Sequence, residues 1–213
     1  MEPFTRLTAV ALPIDQANIN TDQIFPARFL KKPRAQGYAA YLFHDIRFNR
    51  DGTEDPAFVL NEPRYRKARI LVANSNFGCG SSREGAVYTL QDFGFRALIA
   101  PSFGDIFAAN CVKNGVVPVV LPQTVAAELR HQLRMSDDPM VTVDLVQQEV
   151  AGPDGRRYEF AIEPFPKHCL LNGIDEIEFT LQHEANIAAF EQGYRADFEW
   201  LFRSRPEGGS TDS

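Results

Sequence analysis

The chain has 213 residues, 44% hydrophobic and 23% charged, the mixture of a globular protein with one core and some elaboration, not of a disordered or fibrous one. A net charge of −6 offers no basic field for phosphates, so nucleic acid is not an expected partner. Residues 1–6 lack the cationic start and apolar run of a signal peptide, no stretch has the length of a membrane span, and Cys79, Cys111 and Cys169 are too scattered for a disulfide framework; cytoplasm and reduced thiols are expected.

In chain order, a first strand is expected over residues 5–12, followed by a polar stretch, 15–22, whose Asn and Asp residues favour turns. Residues 33–66, rich in Arg, aromatics, Gly and Pro without clean periodicity, read as a long surface excursion. A regular section follows: a buried strand at 69–73, a Gly/Ser loop, a helix from about 82 to 93 and a strand at 96–100, the order of a parallel crossover. A helix at 103–114 closed by Gly115, a strand at 116–120 with Pro118 marking an edge, and a helix at 123–135 repeat the unit. Residues 140–150 should pair with 157–162 through the turn Gly152, Pro153, Asp154, Gly155, adding a hairpin to an α/β core. Ile174, Ile177, Leu181, Ala185 and Ala188 recur at helical spacing as a face expected to pack against the sheet. Residues 204–213 have nothing to bury, so the expectation is a single domain over 1–203 and a disordered tail.

Chemistry concentrates in residues 74–84, between a buried strand and the helix they open. Gly78 and Gly80 permit unusual backbone angles, and Ser81, Ser82 and Arg83 follow at a helix N-terminus, where unpaired N–H groups favour an anion such as a carboxylate. Ser81 and Glu84 have equally the spacing of a capping box. A dinucleotide fingerprint fails because Arg83 stands where the third glycine belongs, and a phosphate loop fails because Ala86 and Val87 stand where Lys and Ser/Thr are required.

The run Phe77-Gly78-Cys79-Gly80-Ser81-Ser82-Arg83-Glu84 resembles the active-site loop of the swivelling domain of aconitase-type enzymes, in particular of the small subunits of bacterial 3-isopropylmalate dehydratases. Residues 18–26, residues 100–107 with Asn110, Asn114 and Gly115, and residues 168–175 with 180–183 resemble further motifs of that family, in the same order over most of residues 5–195. The resemblance implies an α/β fold of the swivelling β/β/α type found in the aconitase C-terminal domain. It implies a hydro-lyase that isomerises 2-isopropylmalate and 3-isopropylmalate by dehydration and rehydration in leucine biosynthesis, active only with a large subunit.

By position in the motifs, Ser81 would be the base and Asp22 would help position catalytic groups; Ser82 and Arg83 would bind a substrate carboxylate, and Arg34 the distal one. The resemblance assigns the 4Fe-4S cluster to the large subunit, so no cofactor or metal is expected on this chain, whose three cysteines and four histidines lack ligand spacing. Residues 37–47, with Tyr41, Leu42 and Phe43, resemble the loop that senses the substrate's alkyl group. One departure is plain: the family usually continues after Glu84 with His-Ala-Pro-Trp, whereas here Gly85, Ala86, Val87 and Tyr88 follow. The alternatives are a paralogous small subunit acting on another alkyl-malate and a non-catalytic, divergent partner subunit.

Overall fold

In the computed structural model, which describes residues 1–202, the apolar runs of the first half become four short parallel strands: β1 (Arg6–Pro13), β2 (Ile70–Val72), β3 (Ala97–Ala100) and β4 (Val117–Val120). Three antiparallel strands, β5 (Met140–Asp144), β6 (Glu149–Ala151) and β7 (Arg157–Glu159), extend the sheet in the order β4-β3-β2-β1-β5-β6-β7. β4 is an edge strand, which leaves the missing N–H of Pro118 without cost. β2 and β3 are buried along their whole length because both faces of this half are covered. Leu71 and Leu98 enter one core, whereas Ile70, Val72, Ala97 and Ile99 enter the other.

Two single helical turns, α1 (Thr21–Ile24) and α2 (His44–Arg47), lie in the long connection from β1 to β2. Much of that connection is core, not surface: Phe25, Leu42, Phe43, Leu60 and Tyr65 are fully buried, on the same side as Ala86, Val87 and Leu90 of α3 (Glu84–Phe93) and Phe107 and Cys111 of α4 (Asp105–Lys113). The opposite core receives Leu129 and Leu133 of α5 (Gln123–Met135) and Leu170 of α6 (Pro164–Asn172).

Three further expectations change. The strand expected over 140–150 is interrupted, with Gln148 at φ 58°, so β5 pairs with β1 and β6, and only the short β6 pairs with β7. The helix expected near residue 82 begins at Glu84 with Arg83 as its N-cap and no side-chain cap, so the capping box at Ser81 and Glu84 does not form. The apolar face expected beyond residue 174 is split between α7 (Glu176–Leu181) and α8 (Glu184–Asp197), and Ile177 and Leu181 are exposed.

Residues 1–175 form one compact unit and the residues from 176 onward a second, composed in its described part of α7, α8 and a 3-10 turn, Glu199–Leu201. The tail expected to be disordered, 204–213, lies outside the described residues. No helix among the described residues is long and apolar enough to cross a membrane.

Candidate active site

The three loops that leave the C-terminal ends of β1, β2 and β3 stay paired with one another past the strands. Isolated parallel bridges join Asn20 to Cys79 and Phe77 to Phe103. Gly78 N–H donates to Ile19 O at 2.7 Å, Thr21 N–H to Cys79 O at 2.9 Å, Phe77 N–H to Ser102 O at 3.1 Å and Gly104 N–H to Phe77 O at 3.0 Å. The Thr21 hydroxyl donates to Ser81 O at 2.8 Å, and the Asn76 amide donates to Asn18 Oδ1 at 2.8 Å. In open α/β sheets this end of the strands is where ligands bind.

Two glycines make the close approach possible. Gly78 lies at φ +72°, and a Cβ there would fall 2.2 Å from the Phe107 ring; a Cβ on Gly104 would fall 2.7 Å from Gly78 O. Between these loops is a cavity of about 170 Å³ lined by Ser81, Ser82 and Arg83 on one side and Gly104, Asp105 and Ile106 on the other. Arg83 is the N-cap of α3 and Gly104 the N-cap of α4, so two helix N-termini border the same space. Their positive ends, together with the guanidinium, suit it to a small anion.

Asp22 and Arg83 form an ion pair, and Asp22 Oδ1 also accepts the Ala27 N–H at 2.9 Å. The Arg83 hydrogen bond, then the Ala27 N–H, hold the Asp22 carboxyl below its ordinary range. Asp22 sits on α1, whose turn is fixed by a capping box: Gln23 N–H donates to Asn20 Oδ1 at 2.8 Å and Asn20 N–H to Gln23 Oε1 at 3.0 Å. Ser81, Ser82, Arg83 and Asp22 are thus brought together, the serines exposed and the arginine half-buried.

Arg34 is placed differently. It donates to Asp92 at 2.6 Å and to Gln91 at 2.8 Å, and its guanidinium stacks 4.1 Å from the Tyr88 ring centroid, which ties residues 34–36 to the exposed side of α3; it does not line the cavity. Leu42 and Phe43 are core residues with no surface to offer a ligand, while Tyr41 stacks on Phe29 at 4.2 Å. Of the departures from the family motif, Tyr88 is the half-buried ring under Arg34, and the others point inward. Gly85 and Val87 are buried, and a Cβ on Gly85 would come within 3.1 Å of the Phe25 ring.

Two contributions are not readable from the sequence. Asp105 and Ile106 line the cavity from the first turn of α4; they lie within the family-like motif at residues 100–107, but nothing local in it gives them a role at the site. Arg130 is buried on α5, where it donates to Ala73 O at 2.8 Å and to Asp15 Oδ1 at 2.9 Å, bracing the two loops from below.

The chain is similar to known proteins along most of its length. The profile of the Aconitase C-terminal domain matches residues 1–124, and that of the C-terminal domain of the 3-isopropylmalate dehydratase small subunit matches residues 176–204. The chain is 51% identical to the 3-isopropylmalate dehydratase small subunit of Paramagnetospirillum magneticum, over 94% of this chain and 100% of that protein. It is 51% identical to the protein of the same description in Gluconacetobacter diazotrophicus, over 95% and 98%. The crystal structure of a 3-isopropylmalate dehydratase from Methanocaldococcus jannaschii superposes with a TM-score of 0.62 at 22% identity, covering 86% of this chain and 98% of that one, and so shares the fold. The α/β fold expected from the motifs is therefore the one observed, and the chain belongs to the aconitase C-terminal domain family and, within it, to the small subunits of 3-isopropylmalate dehydratase.

Proposed function

We propose that this chain is the small subunit of a cytoplasmic 3-isopropylmalate dehydratase, a hydro-lyase of leucine biosynthesis that acts with a large subunit, residues 1–203 serving as its single swivelling domain. The observation that carries the reading is the convergence of Ser81, Ser82 and Arg83 on a cavity bordered by two helix N-termini, with Asp22 bonded to Arg83. Identity of 51% to small subunits over nearly the full length supports it.

In this reading the Arg83 fork holds a substrate carboxylate, with Ser82 beside it, and Asp22 fixes the orientation of that fork. Ser81, as an alkoxide, takes the proton from the carbon next to a carboxylate, and the hydroxyl leaves the neighbouring carbon as water on receiving a proton from an acid of the assembled site, giving an unsaturated di-acid. Return of the proton and hydroxyl in exchanged positions completes the isomerisation. The α3 and α4 N-termini stabilise the Ser81 alkoxide before the transfer and the negative charge that develops on the substrate during it. Arg34 is retained as the contact for the distal carboxylate, which requires its release from Asp92.

Aconitase-type chemistry uses a 4Fe-4S cluster, and the residues of this chain do not fit one. Cys111 and Cys169 are buried, desolvation pushes the Cys111 thiol far up, and no group of three or more metal-ligating side chains occurs among the described residues. The cluster is assigned to the large subunit, as the family resemblance implies, and no step on this chain is drawn through it.

Turnover of a series of 2-alkylmalates by this chain reconstituted with its large subunit tests the proposal. Preference for the isopropyl substrate is expected; preference for another alkyl group would favour the paralogous dehydratase, and an assembled complex inactive on every hydroxy di-acid would overturn the reading.

A further inference from the structure

The second unit is unlike the first in both surface and charge. Residues 176–213 hold eight carboxylates against three arginines, a net charge of −5, so almost all of the chain's net −6 resides in its last 38 residues. Among the described residues of this unit none of the large apolar side chains is buried: Ile177 is 71% exposed, Phe190 69% and Trp200 67%, and Leu181, Leu201 and Phe202 are about half exposed. On α8, Ile187, Phe190 and Tyr194 follow at intervals of three and four, which lays them along one face, with Phe198 following at the C-cap. Tyr194 lies 5.8 Å from the Phe190 ring and 4.7 Å from that of Phe198, so the face is a continuous aromatic ridge.

A ridge of this kind leaves apolar area in water, which is unfavourable. Monomeric proteins rarely tolerate contiguous apolar patches beyond a few hundred Å², and large aromatics set in such a patch are the usual energetic centres of interfaces. The charge decides the occupant. A second copy would bring one net −5 unit against another, and an anionic lipid surface would repel it likewise. The complementary surface is an apolar groove with a basic rim.

We infer that the unit from residue 176 onward is the docking element for the large subunit, its aromatic ridge seated in an apolar groove with a basic rim on that partner. The inference rests on the reading above that this chain works with a large subunit. It is tested by calorimetric titration of the full chain into the large subunit, comparing wild type, the double variant Phe190→Asp/Trp200→Asp and the double variant Glu184→Lys/Glu191→Lys. Because the substituted side chains are exposed, circular dichroism and thermal unfolding should match wild type.

Wild type is expected to bind with an affinity that falls as salt is raised, the apolar variant to bind at least about a hundredfold more weakly, and the charge variant to bind more weakly with a flatter salt dependence. Binding of the apolar variant within about threefold of wild type, well short of a hot-spot loss, would overturn the inference while leaving the partnership intact. No binding by wild type would overturn the partnership itself. A wild-type dimer in light scattering, dissolved by Phe190→Asp/Trp200→Asp, would make a second copy the occupant and overturn the inference as well.

Discussion

Asp22 is the site residue whose protonation is tied most directly to a partner, the Arg83 guanidinium. Hydrogen bonds from Arg83 and from the Ala27 N–H depress the Asp22 pKa in the folded chain. The stabilisation they give is complete above the ordinary carboxylate range and is lost as pH falls through the depressed folded value. Thermal melts from about pH 6 to about pH 3 should therefore show Asp22→Asn losing less stability on acidification than wild type. The difference should be small, because both groups are partly solvated; identical slopes would remove the pairing. Arg34 and Asp92 offer a sharper contrast. If Arg34 meets the distal carboxylate, Arg34→Gln raises KM by about tenfold or more, the value of a charged hydrogen bond, while Asp92→Asn, which frees Arg34, does not. Equal effects of the two substitutions would make Arg34 an anchor of α3 only. At this scale much is legible in the sequence: the motifs single out Ser81, Ser82, Arg83 and Asp22, and the fold brings them together. Arg130 is not legible, because an arginine in an amphipathic helix carries no local sign that its partners, Asp15 and Ala73 O, come from distant loops.

The loops depend on contacts that glycine alone permits. Gly78→Ala adds a methyl that collides with the buried Phe107 ring at a left-handed φ, and should cost about 2–4 kcal/mol in denaturant unfolding. Gly85→Ala sets two effects against each other: alanine gains up to about 1 kcal/mol of helix propensity, but the added Cβ meets Phe25, which is fully buried and lies 4.5 Å from Tyr38. Phe25 has no room to give, so a net loss of stability is expected; a raised Tm would show that the ring can move. The elements themselves are largely readable, since β2, β3 and β4 are short apolar runs bounded by Gly, Asn and Arg. Their edges are less so. Residues 140–150 alternate like one strand, and nothing local announces the positive φ of Gln148 that divides them. The Ser81 and Glu84 spacing is ambiguous because a helix start and an anion site use the same residues; here Arg83, not Ser81, is the cap, which leaves the serine hydroxyl for other work.

At the scale of the molecule, the periodicity of Ile174, Ile177, Leu181, Ala185 and Ala188 does not make one helical face, since it is divided between α7 and α8, and the exposed ridge of α8 runs instead through Ile187, Phe190 and Tyr194. The pattern is the same whether a face is buried by its own chain or by another, and the exposure of Ile177, Leu181 and Phe190 together with the net −5 of that region argues for another. The excursion over 33–66 misleads in the opposite direction. Without periodicity it reads as surface, although Leu42, Phe43, Leu60 and Tyr65 are core residues, because short 3-10 turns bury side chains at irregular intervals. The central claim is that the cavity beneath Ser81 is one half of a catalytic site completed by a partner. It is tested most directly by the isomerisation rate of 3-isopropylmalate in the reconstituted complex of this chain with its cluster-loaded large subunit, beside each chain alone and a complex carrying Ser81→Ala. The account predicts turnover only in the complex, with kcat reduced by about 10²–10⁴ and assembly unchanged in the variant; full activity of an assembled Ser81→Ala complex would contradict it.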